Sequence, residues 1–456
     1  MANDTMHTSP GPVLRVPPSI PLATLTSPNQ HSEDGLNSSN PHTIFSNQTP
    51  TLPPIDGGPR AWRLLLSAFV FESLLWGFPL SFGVFQAHYA SFPTFYNSPY
   101  ISAIGTTASG ISYLGAPLAT PLIRRYSQYR THMILIGWPL CILGLVAGSF
   151  ANTLGGLLVT QGVMYGIGFV IFYYPILSMV DEFWVRKRGM AYGFLCSASG
   201  ASGAVTPLIM QASLHRFGHR TTLRAVALAL VVLTGPLIPL LKGRLEHQHT
   251  TNLRTDWTFL RKRLFWTYTA SNLCMGLGFF FPVLFLPSYA ELIGLDARKG
   301  ALLLTLMSIF QVGGQFTFGY VSDNKKIPLN ALLFISASIA AIVTLSAWGL
   351  ARSFLPLAFF AIPYGFFGAG YTAMWARMVT AVSEEASASQ AIFGCFNFGK
   401  GVGNVLAGPI SAGLLRIGGN GAGYGHGVYG IVVIFTGVCL LLSAVSLGTV
   451  YFRRKV

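Results

Sequence analysis

The chain is poor in charge and poorest in acid: of 456 residues only 14 are Asp or Glu and 29 are Lys or Arg, 9% in all, where a soluble protein carries roughly 25%. So few charges cannot solvate a water-facing surface. A soluble globular class is excluded, and with 52% apolar residues most of the chain is expected to be solvated by lipid. Cysteine is scarce too. Cys141, Cys196, Cys274, Cys395 and Cys439 all fall inside apolar stretches without a Cys-x-x-Cys pair, and they read as small core residues rather than disulfides or metal ligands. There is no Gly-x-x-x-x-Gly-Lys-Ser/Thr run, so an ATP-driven motor would have to come from another chain. No Gly-x-Ser-x-Gly elbow or His-Glu-x-x-His motif is present either, which argues against an enzyme and against a cofactor. The pairs His215/His219 and His247/His249 lack the further ligands a metal site needs. No leader peptide is expected, because no basic start followed by a short apolar run precedes Ala61.

What is present is length in apolar runs. Residues 1–55 are rich in Pro, Ser, Thr and Asn and read as a disordered tail that cannot bury enough surface to order itself. From Trp62 onward come about twelve apolar runs of 18 or more residues, enough to cross a hydrocarbon core of roughly 30 Å. They lie near 62–87, 101–123, 132–150, 155–180, 189–212, 222–241, 264–288, 300–320, 329–350, 354–380, 388–414 and 428–451. With the N-terminus inside, about 20 Lys and Arg fall on inner segments, while the outer loops hold only Arg216, Arg220, Arg224, Arg298, Lys299, Arg352 and Arg416. The net charge of +15 is thereby a mark of membrane orientation rather than of nucleic acid, and both termini are expected in the cytosol. The sequons at Asn37 and Asn47 then stay unglycosylated.

The longest inner connection, 242–263, divides an N-terminal six-helix bundle (56–241) from a C-terminal one (264–456) and suggests an internal duplication. The halves match weakly where a duplication predicts, at Gly115–Tyr126 closing span two and Gly319–Lys326 closing span eight. The second of these, Gly319-Tyr-Val-Ser-Asp-Asn-Lys-Lys326, resembles the Gly-x-x-x-Asp-Arg/Lys loop of the major facilitator superfamily, and Asp323 takes the acidic position, a gating residue in that family. In the first copy Arg124 or its neighbours stand there instead.

Asp56-Gly-Gly-Pro-Arg-Ala-Trp62 resembles the Asp-Gly-Gly-x-x-Trp signature of the monocarboxylate porter family within that superfamily. Glu182–Gly193 and Tyr364–Tyr371 are similar to stretches of the same family, the latter to its fungal members. The resemblance, over about 56–455, implies an all-α polytopic membrane protein of twelve transmembrane helices in two six-helix halves. Animal members that carry lactate with a proton have a Lys late in span one and an Asp and Arg in span eight. The corresponding positions here are Leu80, Gln311 and Gln315, so proton-linked lactate transport does not carry over directly, and a fungal branch moving other metabolites fits better.

A charge at the bilayer centre costs at least about 2.5 kcal/mol, so each one needs a reason. Glu72, ten residues past Trp62 and the only acid in any of the twelve runs, is a candidate proton-coupling site or a hydrogen-bonded structural group. Asn397, Lys400 and Asn404 are spaced i, i+3, i+7 in a Gly-rich stretch of span eleven, which puts them on one helix face, either as a cavity wall or as a packing seam. Gln311 and Gln315, at i, i+4, offer neutral donors and acceptors to a substrate or to a neighbouring helix. Trp76 and Tyr364 either stack on a substrate ring or pack, and Arg377 reads as a snorkelling side chain. Gly162…Gly166 and Gly200…Gly203 read as close-packing interfaces.

The reading is a monomeric secondary transporter working by alternating access on a small organic acid or polar metabolite, with coupling to protons through Glu72, in the plasma membrane. Its substrate contacts are Gln311, Gln315, Asn397, Lys400, Asn404, Trp76 and Tyr364. The alternative is a membrane sensor that keeps the fold without transporting.

Overall fold

The structure, a computed structural model, describes residues 52–92, 101–245, 255–417 and 423–453. The expected disorder of 1–55 beyond its last four residues, the Asn37 and Asn47 sequons and the His247/His249 pair lie outside these. Among the described residues the regular structure is helical throughout. In chain order the helices are α1 (Pro59–Ala90), α2 (Ile101–Leu114, resuming after Gly115 as Ala116–Arg125), α3 (Arg130–Gly148), α4 (Leu154–Phe183), α5 (188–217), α6 (219–234), α7 (Arg263–Leu292), α8 (Ala297–Ser322), α9 (Leu329–Trp348), α10 (Phe354–Val382), α11 (Ala386–Ile417) and α12 (Gly430–Arg453). Their alternation puts the start of α1 and the α2–α3, α4–α5 and α8–α9 connections on one side, here the terminal face; the other is the far face.

The boundaries differ from the hydropathy runs in two ways. No loop separates α5 from α6: Gly218 alone breaks the helical path, at φ 73° and ψ 172°, a conformation that glycine adopts without a Cβ penalty. Helix α4 also runs past the apolar stretch to Phe183 and takes in Asp181 and Glu182, and α7 takes in Glu291, so Glu72 is not the only acid on a membrane-crossing helix. The two in α4 are neutralised where they stand. Asp181 pairs with Arg188 at 2.6 Å, and Glu182 pairs with Arg130.

Each half has its own core. One gathers Phe71, Tyr165, Phe169 and Phe172 from α1 and α4, the other Tyr289, Trp348, Phe360 and Tyr364 from α7, α9 and α10. Lipid tails are as apolar as these side chains, so association of helices rests on close van der Waals contact and on small residues that permit it. The seam between α5 and α8 shows this. A Cβ on Gly193 would stand 2.6 Å from the Gln315 carbonyl oxygen and 2.8 Å from the Gly319 Cα, so the two backbones touch. Gly200 faces Val312 and Ser308 in the same seam, whereas Gly162 and Gly166 pack α4 against Ile104 and Ala108 of α2 within one half. A second seam joins the halves along α2 and α11, where Gly394 meets Ala116 and Thr120. In this seam α2 is interrupted at Gly115 and α11 carries Lys400 midway along its length.

Candidate functional site

The two seams converge on a cluster of rings around one amine. Lys400, midway along α11, places Nζ 4.8 Å from the ring centre of Phe279, 5.6 Å from Trp375, 5.8 Å from Tyr113 and 6.0 Å from Phe280. The box takes walls from α7 and α10 of its own half and from α2 of the other, at separations where ring quadrupoles attract a cation. Among the described residues no hydrogen bond or ion pair reaches Nζ.

On the N-terminal side Glu72 is buried in α1 and accepts a hydrogen bond from the Tyr173 hydroxyl at 3.1 Å, while its Oε2 has no partner among the described residues. Glu72 and Lys400 stand in one another's field, with the Cys196 thiol close enough to feel both. One turn along α1 from Glu72, the Trp76 ring lies 4.8 Å from Tyr113 and 4.9 Å from Phe169. Tyr113 thus touches both Trp76 and the Lys400 amine, and the sequence-derived residues Glu72, Trp76 and Lys400 come together around it.

The others are distributed less tightly. Asn404 reaches across to α2, donating to Ser109 Oγ at 2.7 Å, whereas Asn397 donates to the Phe393 carbonyl of its own helix at 3.0 Å. Gln311 donates to Ser199 Oγ of α5 at 3.3 Å across the other seam. Gln315 is buried, donates to Thr372 Oγ1 at 3.4 Å within its own half, and leaves Oε1 without a partner among the described residues. Tyr364 stands behind the box: its hydroxyl donates to the Phe279 carbonyl at 3.1 Å and its ring packs on Phe279 and Phe360. Sequence reasoning missed Tyr113, Tyr173, Phe279, Phe280 and Trp375. Their only signals were the Tyr173-Tyr174 pair and the Phe279–Phe281 run, and apolar aromatics in a membrane helix have no periodicity that separates cavity from core.

At the terminal face two aspartates hold the start of α5. Asp56, with φ 57°, accepts the N–H groups of Val185, Arg186 and Lys187 on Oδ1 at 2.8–2.9 Å, and Trp62 packs edge-on against Trp184 at 5.1 Å. The Asp-Gly-Gly segment and the aromatic-basic run before α5 are therefore one structural unit. Asp323, from the other half, accepts Gly189 N–H on Oδ1 and Met190 N–H on Oδ2, both at 2.8 Å. Burial pushes its carboxyl above the ordinary carboxylate range, opposed by those two N–H groups and by Arg377. Arg377, read from its position as a snorkelling side chain, finds partners within the protein. It turns inward, donating to the Ser322 carbonyl at 3.2 Å and lying 3.9 Å from Asp323.

The profile of the Major Facilitator Superfamily matches residues 64–349. The chain belongs to that superfamily. It is a multi-pass membrane protein and a secondary transporter rather than an enzyme, embedded in lipid and acting on a small molecule. Similar proteins include the MFS transporter asaE of Aspergillus flavus, 23% identical over 406 residues, 88% of this chain and 90% of that protein. Monocarboxylate transporter 13 of Rattus norvegicus is 25% identical over 378 residues, 80% of this chain and 85% of its own. Monocarboxylate transporter 2 of the same species is 26% identical over 441 residues, with coverage of 89% and 87%. The transporter's two bundles, its α5–α8 and α2–α11 seams and its terminal-face aspartates are thus the setting in which the ring box must be interpreted.

Proposed function

We propose that the transporter moves a small organic acid, or a polar metabolite carrying an acidic group, between the two bundles 56–241 and 264–456, with the substrate's negative charge on Lys400. The observation that carries this is an amine in the middle of a membrane bundle with no hydrogen-bond partner among the described residues and rings on four sides. A bare cation midway along a membrane helix is costly, and an arriving anion offsets that cost. Glu72 is the proton-coupling group: an anion on Lys400 screens the field that Glu72 otherwise feels from the amine, and a proton on Oε2 restores neutrality. Asn397, Asn404, Gln311 and Gln315 border the path, with Trp76 and Tyr364 supporting the ring walls. Asp323 is the gate at the terminal face, which we place in the cytosol with both termini. Residues 242–263 tether the bundles there, and the protein works as a monomer in the plasma membrane.

The test is uptake of a labelled monocarboxylate into proteoliposomes under an inside-alkaline pH gradient, beside protein-free liposomes. The expected result is gradient-driven uptake by the wild type and, in Glu72→Gln, uptake that persists without depending on the gradient. Uptake by Glu72→Gln with the wild-type pH profile would remove the coupling role, and no uptake of any acid by folded protein would remove the acid reading.

A further inference from the structure

Trp375 in the floor of the Lys400 box carries a polar atom that the packing leaves unused. The residue is only 4% exposed, and its indole Nε1 is buried without a partner among the described residues. Buried Trp N–H groups ordinarily find an acceptor; Trp184 and Trp348 share the feature, but among the described tryptophans only Trp375 has a Lys amine beside its ring. The same ring lies 5.6 Å from Lys400 Nζ, so two donor groups without acceptors, an ammonium and an indole N–H, belong to one box.

We infer that Trp375 is a specificity-determining substrate contact, giving its indole N–H to one oxygen of a bound anion whose other oxygen is held by Lys400. This rests on the organic-acid reading above and narrows it. Two donors match the two oxygens of a carboxylate, while an anion with a single charged oxygen satisfies one of them and leaves the other bare. The remaining walls, Phe279, Tyr113 and Phe280, are flat faces with centres 4.8–6.0 Å from the amine. They favour a substrate whose body beyond the carboxylate is planar and conjugated, because ring stacking adds to simple burial. The substrate class is a flat monocarboxylate rather than a short aliphatic one.

Binding of labelled benzoate to the purified full-length transporter tests this, with pentafluorophenolate as the one-oxygen competitor at pH 7, where both are ionised. Wild type is expected to prefer benzoate at least tenfold. Trp375→Phe keeps a ring beside Lys400 and deletes the N–H, and is expected to weaken benzoate at least tenfold while leaving pentafluorophenolate within twofold. Benzoate binding within twofold of wild type in Trp375→Phe, together with loss in Lys400→Met, overturns the role of Trp375 and leaves the acid reading standing. No binding of either anion by monodisperse wild type overturns both. If Trp375→Phe does not elute as a monodisperse species, the wild-type preference decides alone, and a ratio below tenfold overturns the inference.

Discussion

Asn404 on α11 and Ser109 on α2 are joined at 2.7 Å, one turn further toward the far face than Lys400 and Tyr113, which face each other across the same seam. At the terminal face the opposite pair of helices is closed by Asp323 on the N–H groups of Gly189 and Met190. The ring box therefore has a polar clasp above it and another below, each joining one half to the other. Alternating access requires that these open one at a time, which makes each clasp separately testable.

The lower clasp should fail first on removing the carboxylate. Asp323→Ala loses two hydrogen bonds that a helix N-terminus makes to a charged acceptor, worth about 1–3 kcal/mol together. Amide exchange at Gly189 and Met190 is expected to speed up about tenfold or more, while exchange in the α9–α12 core is unchanged. Equal exchange in both proteins at those two amides would show that the glycine seam, not the aspartate, holds the face closed.

The same residue sets a pH dependence. Its carboxyl is raised above the ordinary range by burial, so the locked state holds that proton more tightly than an open state in which Asp323 meets water. The locked state is accordingly favoured as pH falls toward the raised value and loses ground as pH rises past it. Spin-label distances between the terminal ends of the two bundles should shift toward the closed population on acidification from neutral pH. Asp323→Asn, which cannot titrate, should show a flat profile.

Close approach at the α5–α8 seam gives a sharper prediction. A Cβ on Gly319 would stand 2.6 Å from the Gly193 Cα and from the Gly189 carbonyl oxygen, distances no side chain can relax because both atoms are backbone. Gly319→Val alters the contact between the halves rather than the ring-filled core within either, so it is expected to fold yet hold the terminal face open and reduce transport more than tenfold. Wild-type transport rates in that variant would mean the seam does not close during the cycle.

How much of this was legible in the sequence depends on which solvent a residue meets. Hydropathy located every helix, because each must cover its backbone with apolar side chains to cross lipid, and it erred at the ends, where Asp181 and Glu182 are paired within the protein. Spacing along α11 puts Asn397, Lys400 and Asn404 on one helix surface, but it does not reveal that Asn397 turns back onto its own Phe393 carbonyl while Asn404 crosses to the other half. Trp375 and Phe279 were invisible for the opposite reason. An aromatic facing a cavity and one facing a neighbouring helix look alike in an apolar run, and only the position of Lys400 separates them.

Tyr364 provides the control for that distinction. It was a candidate ring contact for substrate, yet its ring is 2% exposed and its hydroxyl is spent on the Phe279 carbonyl, which places it one layer behind the box. Tyr364→Phe removes one neutral hydrogen bond and no packing volume of consequence, a change worth about 1 kcal/mol. The melting temperature is expected to fall by a few degrees while the KM for substrate stays within twofold. Lys400→Met, by contrast, keeps an unbranched apolar stem among the rings and removes the charge, so its KM should rise at least tenfold with little loss of stability. A Tyr364→Phe variant whose KM rose as much as that of Lys400→Met would bring the hydroxyl into contact with the substrate and require the Phe279 wall to move aside during the cycle.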